Sequence, residues 1–332
     1  MFKKKIYTNQ DNHLTLEISA KCNLYCSMCS LEKHHHNKGF MSKNTFNKIL
    51  PYIKQFNIVD FGFTGEPFLN KNLIYFLKKI KKINPNIYLQ IITNGTLLSD
   101  KIMKDLIKFG LDEIMFSIDG ASKQIYEHIR IGSDFNKVIN NIKKLNSFKK
   151  KYSSNKPIFT STFVIMEQNY LEMLKFVELM KKLDFKRIMF NNVEPYSLKS
   201  YNDSFYDKKS KEIKKNLQDI KNSSKKSDLE IIIPRFKSKR HKFCSYMYPL
   251  LAWNGDIIPC GTLSYDRPFF SFGKKDFYYE KSFGNIHEQN FNKIWNLKEY
   301  SDFRNNLAKG IFNKECENCL RSFGIICGNK LL

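Results

Sequence analysis

Three cysteines on one short segment, Lys21-Cys22-Asn23-Leu24-Tyr25-Cys26-Ser27-Met28-Cys29, pose the first chemical question. Three and then two residues separate them, so a single loop can present all three thiols to a soft metal. A structural zinc normally takes a fourth protein ligand. A four-iron cube held by only three cysteines keeps one iron open, as a catalytic zinc keeps a position for its substrate. The remaining cysteines lie far along the chain: Cys244, Cys260, Cys316, Cys319 and Cys327. A disulfide framework would not usually leave that gap, and in a reducing compartment such thiols are metal ligands or catalytic groups.

The elements that must position these thiols follow from periodicity. Leu14 to Ile18 alternates with period two and reads as a strand leading into the cysteine loop. Further strands are expected at Ile58–Phe63, Ile87–Thr93, Glu113–Ile118, Ile158–Met166 and Arg187–Phe190. Helical stretches lie between them, capped for instance by Ser42 and Ser99. Parallel strands need crossovers, so six β-then-α units imply an α/β fold with helices outside a parallel sheet. Six is fewer than the eight of a closed barrel, which leaves a partial barrel or an open sheet. Both place ligands at the carboxyl ends of the strands. Residues 1–200 are expected to form this unit and residues 201–242 a Lys-rich helix and linker. Residues 243–332 would form a small loop-rich domain stapled by metal–thiolate bonds.

Composition narrows the class. The 332 residues are 42% hydrophobic and 14% aromatic, which excludes a disordered chain. No apolar run approaches the roughly 18 residues that span a bilayer. The start, Met1-Phe2-Lys3-Lys4-Lys5-Ile6, leads into polar residues rather than a signal region, so a cytoplasmic protein without a membrane partner is expected. The formal net charge is +24, yet only seven of the 56 basic residues are Arg. Abundant Lys, Asn, Ile and Phe read as codon bias, whereas nucleic-acid readers favour Arg; a nucleic acid is not the expected partner. The basic surface still raises nonspecific affinity for acidic molecules.

The cysteine loop resembles the signature of the radical S-adenosylmethionine superfamily, C-x3-C-x2-C. Thr64-Gly65-Glu66-Pro67 stands after the second strand where the family has Gly-Gly-Glu-Pro, and Ser117-Ile118-Asp119-Gly120 ends the fourth. The resemblance implies a partial (β/α)6 barrel over roughly residues 14–195, with Cys22, Cys26 and Cys29 holding a 4Fe-4S cluster that binds S-adenosylmethionine. It also implies that Gly65, Glu66 and Pro67 receive the methionine amino group and that Ser117 and Asp119 meet the ribose and methionine. Arg130 would pair with the methionine carboxylate, as suits a charge-assisted fork. Met28 would pack on adenine, where the family often has an aromatic residue. Thr64 departs from the family's first Gly, which is tolerable if that backbone angle is not positive. The nearby His34, His35 and His36 read as an exposed polar loop.

The second cysteine group, with Gly255, Gly284-Asn285-Ile286 and Ile294-Trp295, resembles the auxiliary-cluster domains called SPASM or twitch. The resemblance implies Cys244, Cys260, Cys316 and Cys319 as ligands of a second 4Fe-4S cluster; structural zinc is the alternative. Cys327 is then spare: another ligand, a hydrogen-atom donor to a substrate radical, or a buried thiol. Sulfatase-maturating relatives carry Asp directly after the cysteine matching Cys260; Gly261 stands here, which disfavours that activity.

The implied activity is reductive cleavage of S-adenosylmethionine to a 5′-deoxyadenosyl radical that abstracts hydrogen from a C–H bond. An external reductant such as flavodoxin or ferredoxin would supply the electron. About thirteen residues precede the first strand, so an N-terminal peptide-recognition domain is not expected. The expected substrate is therefore a small polar, sugar-like molecule that is oxidised or epimerised. Peptide or protein side-chain modification is the alternative, followed by RNA modification or a non-catalytic zinc module.

Overall fold

The computed structural model describes residues 12–31, 38–205, 213–224, 228–234, 236, 248–271, 273–323 and 329–330. Cys244, Cys327 and residues 34–36 lie outside them. All six expected strands are present and pair in parallel, in chain order: β1 (His13–Leu16), β2 (Ile58–Phe61), β3 (Tyr88–Thr93), β4 (Glu113–Ser117), β5 (Ile158–Ile165) and β6 (Arg187–Asn192). The crossovers carry α1 (Lys43–Ile49), α2 (Leu73–Ile83), α3 (Asp100–Lys108), α4 (Lys123–Ile129), α5 (Phe135–Lys151) and α6 (Met173–Lys182). Ser42 and Ser99 cap α1 and α3 as read, their hydroxyls accepting from Thr45 N and Ile102 N.

Period two separates the faces of the sheet. Leu14, Leu16, Val59, Phe61, Leu89, Ile91, Ile114, Phe116, Phe159 and Phe163 bury against the helices in one core with Phe46, Phe76, Met103, Val138 and Phe176. The opposite face is polar and laced strand to strand. Thr15 Oγ1 donates to Asp60 (3.1 Å), Tyr88 OH to Glu113 (2.5 Å) and Thr160 Oγ1 to Glu113 (2.7 Å). Such a face is tenable because these carboxylates find hydrogen-bond donors on the neighbouring strands.

The sheet extends past these six strands on both sides. Beyond β6 lies β7 (Glu230–Ile233), parallel to it and within the segment read as helix and linker. Its Ile231-Ile232-Ile233 run is β-branched but short, and the Lys- and Ser-rich surroundings masked it. Beyond β1 lies β8 (Leu250–Leu251), parallel to it, and then β9 (Ile257–Ile258), antiparallel to β8. The turn between them is the expected Asn254-Gly255-Asp256, with Gly255 at φ +101°. A separate hairpin, β10 (Arg267–Ser271) and β11 (Lys274–Tyr278), follows. No helix among the described residues is long and apolar enough to cross a membrane.

Candidate active site

The loop that leaves β1 is clamped on three sides by hydrogen bonds to its backbone. Gly65 N donates to Ser19 O (3.2 Å) and Glu66 N to Lys21 O (2.9 Å), tying the exit of β2 to the residues before Cys22. Tyr25 N donates to Ile131 O (2.9 Å) and Ser27 N to Ile129 O (2.8 Å), tying the loop to the end of α4. Tyr196 OH, beyond β6, donates to Ser27 O at 2.9 Å. A Cβ on Gly65 would stand 2.4 Å from Lys21 O and 2.5 Å from Ser19 O, so only glycine allows this approach.

Cys22, Cys26 and Cys29 are all half-buried on this loop. Burial pushes the Cys26 thiol up to about 12, against the pull of Arg130, and raises Cys22 in the same direction. Arg130 Nη1 approaches Cys26 Sγ at 3.9 Å, and Asn94 Nδ2 approaches Cys22 Sγ at the same distance. Three half-buried thiols with a guanidinium and an amide donor beside them suit thiolate ligation to iron, where the metal supplies the missing positive charge. Among the described residues no three Cys, His or carboxylate side chains converge as a site for one metal ion requires.

The expected cofactor residues ring this loop. Glu66 is buried: Oε1 accepts from Thr93 Oγ1 (2.8 Å) and Phe68 N (3.2 Å), and Oε2 from Asn94 N (2.8 Å). Burial pushes its carboxyl up to about 7 against those bonds. Pro67 follows at the head of a short 3-10 turn. Ser117 ends β4, half-buried, and Asp119 just beyond it is fully buried. Asp119 Oδ1 accepts from Val164 N (2.6 Å), and Oδ2 faces Arg130 Nη2 at 2.7 Å. Burial raises Asp119 and Arg130 opposes the rise. Arg130 Nε has no partner among the described residues. Met28 packs on an apolar shelf of Ile129, Met166 and Val193.

Sequence reasoning missed the network under Cys22. Asn94 Nδ2 donates to Asn23 Oδ1 (3.0 Å), Asn23 Nδ2 to Thr96 Oγ1 (3.0 Å), and Thr96 Oγ1 to Asn94 Oδ1 (2.7 Å). Asn94-Gly95 had been legible only as a turn. Its place at a strand's carboxyl end was the available signal.

Cys260, Cys316 and Cys319 line one small cavity with Thr262, Phe303 and Arg321. Burial raises the Cys260 thiol, and the neighbouring Cys319 adds to that rise. The donor set is all thiol, as iron–sulfur ligation needs. The two cysteine groups are bridged by protein. Ser30 Oγ, next to Cys29, shares a 2.7 Å hydrogen bond with Tyr265 OH, and Leu320 N, next to Cys319, donates to Tyr278 OH at 3.3 Å. Gly261 lies against Phe63, whose ring a Cβ there would meet at 2.0 Å.

The profile of the radical SAM superfamily matches residues 16–180, and that of an iron-sulfur cluster-binding domain, SPASM, matches residues 243–320. The chain belongs to the radical SAM superfamily. This radical SAM enzyme is 28% identical over 320 residues to the tungsten-containing aldehyde ferredoxin oxidoreductase cofactor-modifying protein of Pyrococcus furiosus, covering 92% of this chain and 86% of that one. It is 27% identical over 268 residues to the GTP 3′,8-cyclase of Clostridium botulinum, covering 75% and 81%. It spans about half the length of other curated relatives it matches. The solved structure of native anSMEcpe with bound AdoMet and Cp18Cys peptide superposes with a TM-score of 0.64 at 23% identity, covering 95% of this chain and 88% of that one. Its cofactors are accordingly 4Fe-4S clusters and S-adenosylmethionine, and it needs an electron donor and a substrate.

Proposed function

We propose that Cys22, Cys26 and Cys29 hold the cluster that binds S-adenosylmethionine, and that the enzyme acts on a small polar molecule. The observation that carries this reading is the ring of groups around the loop: three thiols, the Asp119–Arg130 pair at 2.7 Å and the apolar shelf at Met28. When bound and reduced, the cluster and S-adenosylmethionine supply a 5′-deoxyadenosyl radical that takes a hydrogen atom from a C–H bond.

The chain's own residues orient and enclose. Arg130, fixed by Asp119, offers its idle Nε toward a carboxylate such as that of methionine. Gly65 and Glu66 meet the methionine amino group, with Pro67 fixing the turn, and Ser117 and Asp119 meet the ribose side. Met28 lies against adenine. Cys260, Cys316 and Cys319, with Cys244, hold the second cluster, whose complete ligation suits electron transfer. Flavodoxin or ferredoxin is the reductant, in a reducing cytoplasm.

The Pyrococcus furiosus relative's name, a cofactor-modifying protein, supports a small-molecule substrate, sugar-like or a cofactor precursor. Peptide modification is the second reading, since a chain of this fold has been solved with a bound peptide. Anaerobically purified protein should be brown, carry about eight irons per chain and release 5′-deoxyadenosine with reductant. Cys26→Ala should abolish that release. Colourless protein holding zinc would end this reading.

A further inference from the structure

Arg267, on β10, is 3% exposed at its side chain and stands between the two cysteine groups. Its guanidinium lies 4.5 Å from the ring centre of Tyr265, which is bonded to Ser30, and 5.2 Å from that of Tyr278, which is bonded to Leu320 N. Nη2 donates to Glu194 Oε1, beyond β6, at 2.9 Å. Nε and Nη1 have no acceptor among the described residues. A buried guanidinium with two idle donors is expensive, because each has lost water without gaining a partner. A chain whose bias supplies Lys nearly everywhere has kept Arg here, and the two are not interchangeable where a planar fork is needed.

Among the described residues the local charges do not cancel. One carboxylate, Glu194, faces both Arg267 and Arg321. Burial alone would raise Glu194; the two guanidiniums outweigh it and hold the carboxyl below its usual range. Arg321 lines the Cys260/Cys316/Cys319 cavity and Arg267 does not. Arg321 is therefore placed to offset charge on metal-bound thiolates, and the idle donors of Arg267 belong to something else. Tyr265 and Tyr278 stay neutral, since burial raises both phenols, so neither supplies the missing anion.

We propose that Arg267, steadied by Glu194, anchors an acidic group of the small-molecule substrate, a phosphate or a carboxylate, between the two cysteine groups. The inference rests on the small-molecule reading above and narrows it to anionic substrates. Glu194 is the positioning partner: it holds one guanidinium nitrogen, Nη2, and leaves Nε and Nη1 for the ligand.

The test uses the full chain with both clusters reconstituted anaerobically, titrated calorimetrically with inorganic phosphate and, separately, with acetate. Wild-type protein should bind at least one, and the preferred anion distinguishes a phosphorylated from a carboxylic substrate. Arg267→Gln should weaken that binding by about tenfold or more. Glu194→Gln removes the competing charge and should tighten it several-fold. These opposite signs separate a built site from diffuse attraction to the basic surface, and Glu194→Gln alone decides if Arg267→Gln does not fold. Absence of anion binding by wild type, or an affinity that Glu194→Gln leaves unchanged or weakens, overturns the inference. Release of 5′-deoxyadenosine by the same wild-type preparation is scored separately: its loss sinks the radical reading, whereas its presence without anion binding sinks only the anchor.

Discussion

Gly65→Ala puts the geometry of the cysteine loop to a direct test. The added methyl would stand 2.4 Å from Lys21 O, 2.5 Å from Ser19 O and 2.8 Å from Lys21 N. All three are backbone atoms, so no side-chain rotation relieves the crowding. Restoring ordinary contact requires the segment before Cys22 to retreat by about 1 Å. Overpacking of that kind costs about 1–3 kcal/mol. The larger effect should be chemical, because Lys21 is bonded directly to Cys22 and a 1 Å misplacement can cost about 100-fold in rate. The assay is 5′-deoxyadenosine release with reductant, alongside iron stoichiometry and urea unfolding. Gly273→Ala is the control: none of the described residues lies within 4 Å of its added carbon, but φ is +80°, so it carries backbone strain of about 1–2 kcal/mol without crowding among them. Release from Gly65→Ala within about twofold of wild type would refute the claim that this close approach sets the loop.

Other perturbations should follow the same logic. Burial pushes Glu17 up to about 7, against hydrogen bonds from Thr64 Oγ1 and Trp253 N. A carboxyl raised on folding stabilises below its unfolded value of 4.5, and that contribution fades as pH climbs through about 7. Stability of the wild type relative to Glu17→Gln should therefore fall by on the order of 3 kcal/mol across that window, and parallel melting curves at pH 5 and pH 8 would contradict it. Gly261→Asp must displace the Phe63 ring, so it should lower the melting temperature and reach the Thr64-Gly65 turn. An unshifted melt would show that Phe63 yields freely. Cys316→Ala/Cys319→Ala should lose about half the iron while keeping 5′-deoxyadenosine release. Normal substrate turnover by that variant would rule out an electron-accepting second cluster.

The strands β1 to β6 were legible because period two and the intervening helical stretches are local properties. The first cysteine loop was legible for the same reason: its spacing lies within eight residues of chain. What local pattern could not carry was pairing over distance. β7 is four residues inside a Lys-rich stretch, and β8 is two residues that acquire meaning only beside β1. The Asn94–Asn23–Thr96 network joins two strand exits, and its Asn-Gly pair reads equally well as any tight turn. Arg267 and Glu194 are distant in sequence, so their ion pair left no spacing to find. The scarcity of Arg was the one clue available.

The pairing of β1 with β8 bears on when this protein can mature. Thr15 and Leu16 lie opposite Leu250 and Leu251, so the strand that launches the first cysteine loop is flanked by chain made much later on the ribosome. Glu17 N likewise donates to Leu251 O at 3.0 Å. Until those late residues emerge, the base of the loop is an unfinished edge, and contacts of such long sequence separation form slowly. Iron delivery during synthesis would meet a half-built cradle. The assembly machinery is better served by waiting for the released polypeptide, and a truncated product lacking the distal strands should leave translation unable to retain metal at its front end.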